Sequence, residues 1–138
     1  MGSRLHDPTQ KAERVAVLSD VHGNAAALEA VLAEVESAMP ELIVCGGDLT
    51  WGPLPEETLA LVGGLRVPTL FIRGNAERAL LETSEDATER ERWLLEHHSA
   101  SAQSFLQDFV EQASVEIDGL GLVPLVGVDI AAVAARPP

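Results

Sequence analysis

Two carboxylates, one imidazole and one carboxamide recur at the same place in three successive segments of this chain, each just after a short apolar run. The segments are Asp20-Val21-His22-Gly23-Asn24, Gly46-Gly47-Asp48 and Gly74-Asn75. Oxygen and nitrogen donors of these types suit a hard-to-borderline divalent metal and the phosphate such an ion activates. Asp20 and His22 lie two apart where the chain turns, so both side chains can converge on one ion. Asp48 can bridge two ions, because a carboxylate has two oxygens. Asn75 offers a neutral carbonyl ligand, and its NH₂ can donate to a phosphate oxygen. Gly23 permits close approach of the backbone. Singly these residues are ordinary: an Asp after a strand often caps a helix, and Gly-Asn is a common turn. In order, and at matching positions, they are far more specific.

The elements that must position them follow from periodicity. The apolar runs Val15–Leu18, Leu42–Cys45 and 69–72 read as buried strands. Between the first two, Leu28, Val31, Leu32 and Val35 follow the i, i+3, i+4, i+7 stripe of an amphipathic helix over residues 25–39, with Asn24 as cap and Pro40 as stop. Pro55-Glu56-Glu57 opens a second helix and Gly63-Gly64 ends it. Strand, helix, strand, helix, strand predicts βαβ units, a mainly parallel sheet and an α/β fold. Right-handed crossovers put all three strand C-termini on the sheet edge where α/β proteins bind ligands. Further on, Leu80-Leu81 marks a short helix. Asp86-x-x-Glu89 matches a capping box before Trp93-Leu94, and another helix carries Phe105, Leu106, Phe109 and Val110. Residues 114–117 alternate like a strand, Asp118-Gly119 turns, and 122–128 supplies a hairpin partner.

Asp20-x-His22-Gly23-Asn24, Gly46-Gly47-Asp48-Leu49-x-x-Gly52-Pro53 and Arg73-Gly74-Asn75-Ala76-Glu77 resemble the first three motifs of the calcineurin-like metallophosphoesterases, with the bacterial phosphodiesterase branch nearest in style. The resemblance is strong over residues 15–77 and weaker over 114–123. It implies an α/β/β/α sandwich of two sheets between helices, here in part, and a binuclear metal site at the strand ends. Asp20, His22 and Asp48 would hold the first ion, Asp48 and Asn75 the second, with Asn75 also helping to hold the phosphoryl group in catalysis. The implied activity is metal-dependent hydrolysis of a small phosphate ester, with manganese the expected metal and zinc, iron or nickel compatible. In the family's third motif a His stands where this chain has Ala76, which points to diesters or to leaving groups that need little protonation. The resemblance also implies a His after a later strand and a Gly-His-x-His motif near the C-terminus, yet no His follows His98. His97 and His98 themselves read as surface helix residues.

Composition bounds the rest. The 138 residues suffice for one domain, and 46% hydrophobic against 22% charged residues argues for a packed core. With 4% aromatics and no Tyr, that core must be built largely from aliphatic residues. A net charge of −13 argues against a phosphate-backbone grip on nucleic acid. Glu29, Glu34, Glu36, Glu56, Glu57, Glu89 and Glu91 read as solvated helix faces. No run approaches the roughly 20 apolar residues of a membrane span. The polar residues 1–14 lack an apolar signal core, and Cys45 stands alone, which together predict a cytoplasmic protein.

Three regions are expected: a flexible tail at 1–13, the N-terminal portion of a metallophosphoesterase-like domain at 14–121, and an atypical tail at 122–138. That last stretch, rich in Ala, Val, Gly and Pro, reads as the end of a truncated gene product, with an out-of-frame tail in place of the rest of the domain. An unfinished sheet would leave an unpaired edge, so poor solubility or self-association is expected. Two readings from different classes follow: a working phosphoesterase, or a catalytically inactive member that is at most a metal-binding module. A third reading, a nucleotide-binding α/β module, is set aside because Gly46-Gly47-Asp48 lacks the Gly-x-Gly-x-x-Gly spacing and opens no immediate helix. A haloacid-dehalogenase-like phosphatase is excluded because His22 stands where its second Asp would be.

Overall fold

The chain folds into two small sheets packed face to face, with helices covering the outer face of one of them. The computed structural model describes residues 10–82 and 85–127. Among these, β1 (Gln10–Ala12) is followed by β2 (Val15–Leu18), α1 (Ala25–Ala38), β3 (Leu42–Cys45), α2 (Pro55–Gly63) and β4 (Thr69–Phe71). Then come α3 (Asn75–Leu81), α4 (Glu89–Glu96), α5 (Ala100–Gln107), β5 (Gln112–Ile117) and β6 (Gly121–Val126). One sheet has the order β2-β3-β4 and is wholly parallel. In the other, β5 lies between β1, to which it is parallel, and β6, to which it is antiparallel.

Alternation along the strands sorts the core into two clusters. Leu42, Val44, Leu70 and Ile72 point toward the second sheet and meet Ala12, Ala113 and Val115. On the other face, Leu18 and Phe71 pack with Leu28, Val62, Leu80, Leu94 and Leu106, one from each helix. The three phenylalanines contact one another there: Phe71 stacks on Phe109 and meets Phe105 edge-on, both with ring centres 5.0 Å apart. β3, in the middle, is buried on both faces.

The helix ends show which local signals acted. Asn24 Oδ1 accepts from Ala27 N at 3.1 Å and starts α1, which closes at Met39 in a left-handed conformation ahead of Pro40. Pro55 begins α2 with two glutamates in its first turn. The cap of α4 differs from the expected Asp86–Glu89 box. Thr88 is the cap instead, its hydroxyl accepting from Glu91 N while Glu91 returns a bond to Thr88 N, both at 3.1 Å. Either pair has the required three-residue spacing; two residues separate the registers. Phe109 and Val110 lie beyond the end of α5.

Residues 121–126 form β6, antiparallel to β5, the hairpin partner expected at 122–128. Two other expectations change. Residues 10–12, expected within the N-terminal tail, form β1 against β5, because their backbone completes that parallel ladder. Val15–Leu18, expected to be buried, pairs only with β3 among the described residues, and Val17 is 62% exposed at that sheet edge. The expected out-of-frame segment beyond residue 127 lies outside the described residues.

Glu111, just before β5, ties this strand to the helical side. It sits 2.8 Å from Arg78 Nη2 and 3.4 Å from Arg73 Nη1. Its hydrogen bond from Arg78, with the two guanidinium charges, holds its carboxyl below the usual range. A depressed folded pKa adds stability above the unfolded value and loses it as pH falls through the folded one. Because Glu111 is exposed, the contribution is small. Glu111→Gln should therefore lower the melting temperature slightly at neutral pH, and thermal melts should show the difference shrinking as pH falls below the ordinary Glu value of about 4.3.

Candidate metal centre

All three polar segments emerge from the C-terminal ends of β2, β3 and β4, and the backbone sews them together. Asp20 N donates to Gly47 O at 3.1 Å, His22 N to Asp48 O at 2.9 Å and Gly23 N to Leu49 O at 2.9 Å. Gly52 lies so close to this first loop that a Cβ there would be 1.7 Å from His22 O, so only glycine fits. Gly47, at φ 106°, likewise lets the second loop turn against the third. The result is an uncommon backbone. Among the described residues four non-glycines have positive φ: Asp20 (58°), His22 (51°), Asp48 (55°) and the helix-ending Met39. Left-handed conformations cost free energy and persist where the surroundings over-determine them. Here three of the four carry the candidate donors.

Each donor has one polar atom held by the protein and another turned toward the same point. Ser19 Oγ donates to Asp20 Oδ2 at 2.9 Å, and Asp20 Oδ1 lies 3.5 Å from His22 Nε2. Ala76 N donates to Asp48 Oδ1 at 2.9 Å, and Asp48 Oδ2 lies 3.8 Å from the same nitrogen. His22 Nδ1 lies 3.0 Å from Trp51 O. A carbonyl only accepts, so Nδ1 carries a proton and Nε2 is the ring nitrogen left to face an ion. Imidazoles that ligate metals are oriented by such a bond on the other nitrogen. The ligand atoms of Asp20, His22 and Asp48 all lie within 4.8 Å of one another, the spacing of groups around one ion.

The charge of the cluster also asks for a cation. Burial pushes the Asp48 carboxyl above its ordinary range, and Glu77 and Asp20 push it the same way against the opposing bond from Ala76. Two adjacent carboxylates, one of them buried, are a poor arrangement without a counter-ion. The donor set therefore fits a divalent metal. Cys45, at the end of β3, does not join it: burial and Glu77 raise its thiol to about 12, so it stays protonated.

Asn75 is the first residue of α3, exposed, and directly precedes the Ala76 N–H that binds Asp48. Glu77, which sequence reasoning passed over as part of a motif, is fully buried. Its carboxylate accepts from Gly74 N at 2.7 Å and from Asp48 N and Leu49 N at 2.9 Å each. Its place in the first turn of a helix was the available signal, but that position is usually solvated. His98 is a correction too. Expected on a surface, it is 4% exposed, with Nε2 2.8 Å from Thr50 Oγ1 and Nδ1 against Leu94 O. The chain turns inward after α4, so His98 faces the core while His97 stays outside. Of the helical glutamates, Glu29, Glu34, Glu36, Glu57 and Glu89 are exposed, whereas Glu56 also accepts from Ser99 N at 2.8 Å.

A parallel sheet with these loops at its C-terminal edge, packed on a second sheet, is an α/β fold that gathers a candidate metal-binding cluster at one sheet edge. The calcineurin-like phosphoesterase family model matches residues 13–132, and the chain belongs to that family. A metallophosphoesterase from Sphaerobacter thermophilus is similar in structure, with 30% identity and a TM-score of 0.59 over 73% of this chain and 42% of that one. A hypothetical protein from Pyrococcus horikoshii OT3 shares the fold at 20% identity and a TM-score of 0.64, over 76% of this chain and 50% of that one. The chain thus matches half or less of the length of either protein. No curated protein sequence matches it.

Glu77→Gln replaces one accepting oxygen with an NH₂ that faces backbone donors. We expect it to destabilise the fold by about 3 kcal/mol or more, since each hydrogen bond to a charged group contributes roughly 1.5–3 kcal/mol. Urea unfolding followed by circular dichroism measures this.

Proposed function

We propose that Asp20, His22 and Asp48 bind one divalent ion, that Asp48 and Asn75 contribute to a second, and that the protein hydrolyses small phosphate esters. The observation that carries this is the convergence of three donors within 4.8 Å, on backbone held in left-handed turns at two adjacent parallel strand ends. Bound there, a divalent ion supplies Lewis acidity toward a phosphoryl oxygen and makes water a stronger nucleophile. The chain's own part is positional. His22, fixed by Trp51 O, presents Nε2, and Asp48, fixed by Ala76 N, presents its second oxygen. Asn75 stands beside them to orient the phosphoryl group through its carboxamide.

Ala76 offers no proton to a leaving group, which favours phosphodiesters and esters of acidic alcohols. Manganese is our choice of metal, because mixed oxygen and nitrogen donors suit it as well as zinc, iron or nickel. The net charge of −13 argues against nucleic acid as partner. The lone, buried Cys45 supports a cytoplasmic location, and the described residues contain no helix long and apolar enough to cross a membrane. Val17 at an open sheet edge supports self-association.

A second reading, metal binding without turnover, rests on a separate observation. Among the described residues this cluster is the one grouping of three or more His, Cys, Asp or Glu able to hold an ion, and His98 is already engaged with Thr50 and Leu94. Manganese-dependent hydrolysis of bis(p-nitrophenyl) phosphate, beside an Asp48→Asn variant, separates the two. Turnover that falls at least about 100-fold in the variant, a loss of the order typical for a removed catalytic group, supports the phosphoesterase. Manganese binding by calorimetry without turnover establishes the module instead.

A further inference from the structure

A cleft of about 920 Å³ opens beside the metal centre, and His22 belongs to both. That volume lies in the range of small-ligand sites, roughly 300–1,000 Å³. Its walls are the turn after β3, with Trp51, Gly52 and Pro53, and α4. The chain has two tryptophans and no tyrosine, and its three phenylalanines pack against one another in the core. Both tryptophans line this one cleft. Trp93 is 41% exposed, yet its plane is set, because the indole stacks on His97 with ring centres 3.8 Å apart. The opposite wall is set as well. Trp51 O holds His22, and the neighbouring Thr50 is bonded to His98 just beyond α4. The two indole-bearing walls are therefore braced against each other before any ligand arrives.

The polar rim selects among ligands. Arg90 and Arg92 are matched there by Glu89 and Glu96, so the cleft carries no net charge. Arg92 Nη2 donates to Ala87 O at 2.6 Å, while Arg90 has no hydrogen bond or ion pair among the described residues. A balanced rim gives little preference for a second phosphate. An acyl chain would leave the guanidinium and carboxylate groups without partners. A neutral heteroaromatic ring satisfies both requirements, stacking on indole and offering its edge acceptors and donors to Arg90 and the glutamates.

We infer that the cleft between Trp51 and Trp93 is the nucleobase subsite of a nucleoside phosphate ester whose phosphorus lies at Asp20, His22 and Asp48. The inference rests on reading that cluster as a phosphoesterase metal centre, and adds the substrate class.

Since both tryptophans face the cleft, intrinsic fluorescence reports its occupancy. The full chain is titrated with adenosine 5′-monophosphate and with ribose 5-phosphate, both in manganese and in EDTA, and manganese binding is measured separately by calorimetry. The nucleotide should quench saturably and bind at least about ten-fold tighter than the baseless sugar phosphate, as one stacked base provides. Trp93→Leu, followed through Trp51, should abolish that preference, and Arg90→Gln should weaken nucleotide binding several-fold, both with unchanged circular dichroism. Equal binding of the two ligands, absence of saturable quenching, or an undiminished preference in Trp93→Leu would overturn the subsite. Loss of manganese binding with the nucleotide response intact sinks the metal reading and leaves the subsite standing. The converse result sinks the subsite alone.

Discussion

One buried carboxylate holds the centre of this molecule in shape. Three strands end together, and their loops must bend back sharply enough to aim side chains at one point. That bending removes backbone N–H groups from the sheet ladder and leaves them buried without partners, at a cost of roughly 1–3 kcal/mol each. Glu77 accepts from three of them, on Asp48, Leu49 and Gly74. Asp48 answers by accepting from Ala76 N, so the second and third loops grip each other in both directions. The first loop joins through backbone bonds at Asp20, His22 and Gly23. Left-handed residues at functional sites cost on the order of 1–3 kcal/mol apiece, which is what a charge-assisted hydrogen bond returns. The strain at Asp20, His22 and Asp48 is thus sustained by the polar network beneath it.

Much of this was legible in the residues and some was not, for physical reasons. The aliphatic runs and the stripe of Leu28, Val31, Leu32 and Val35 report burial directly, so β2, β3, β4 and α1 appear nearly where the pattern puts them. Asp20, His22 and Asp48 were legible because each follows such a run. Glu77 was not, because burial of a carboxylate depends on partners distant in sequence. His97 and His98 differ by one position, and which of them faces inward depends on how the chain leaves α4. Thr88 against Asp86 is a contest between two caps of equal spacing. Val17 has the sequence of an interior strand, but exposure at an edge depends on which strands lie beside it.

Charge gives the site its logic. The chain is strongly acidic, and the cluster adds two carboxylates at the point where the proposed anionic ester would approach. Beyond about 10 Å, salt screens much of the surface repulsion, but the local field of Asp20 and buried Asp48 remains. A divalent cation reverses the sign of that field and makes the same position attractive to phosphate. The neighbouring cleft, with its guanidinium and carboxylate groups in balance, neither assists nor opposes this reversal. Under the proposed function, the phosphoryl group and whatever it is attached to would be held by different walls that meet at His22.

The grip of Glu77 also fixes how the molecule can open. The amides of Asp48, Leu49 and Gly74 belong to two different loops, yet they end on one side chain carried by α3. None can be released by fraying its own loop alone. Solvent reaches them when α3 lifts from the sheet, and that motion dismantles the donor cluster in the same step. The centre and the first turn of this helix therefore form one cooperative unit, anchored where Leu80 is buried in the helical core.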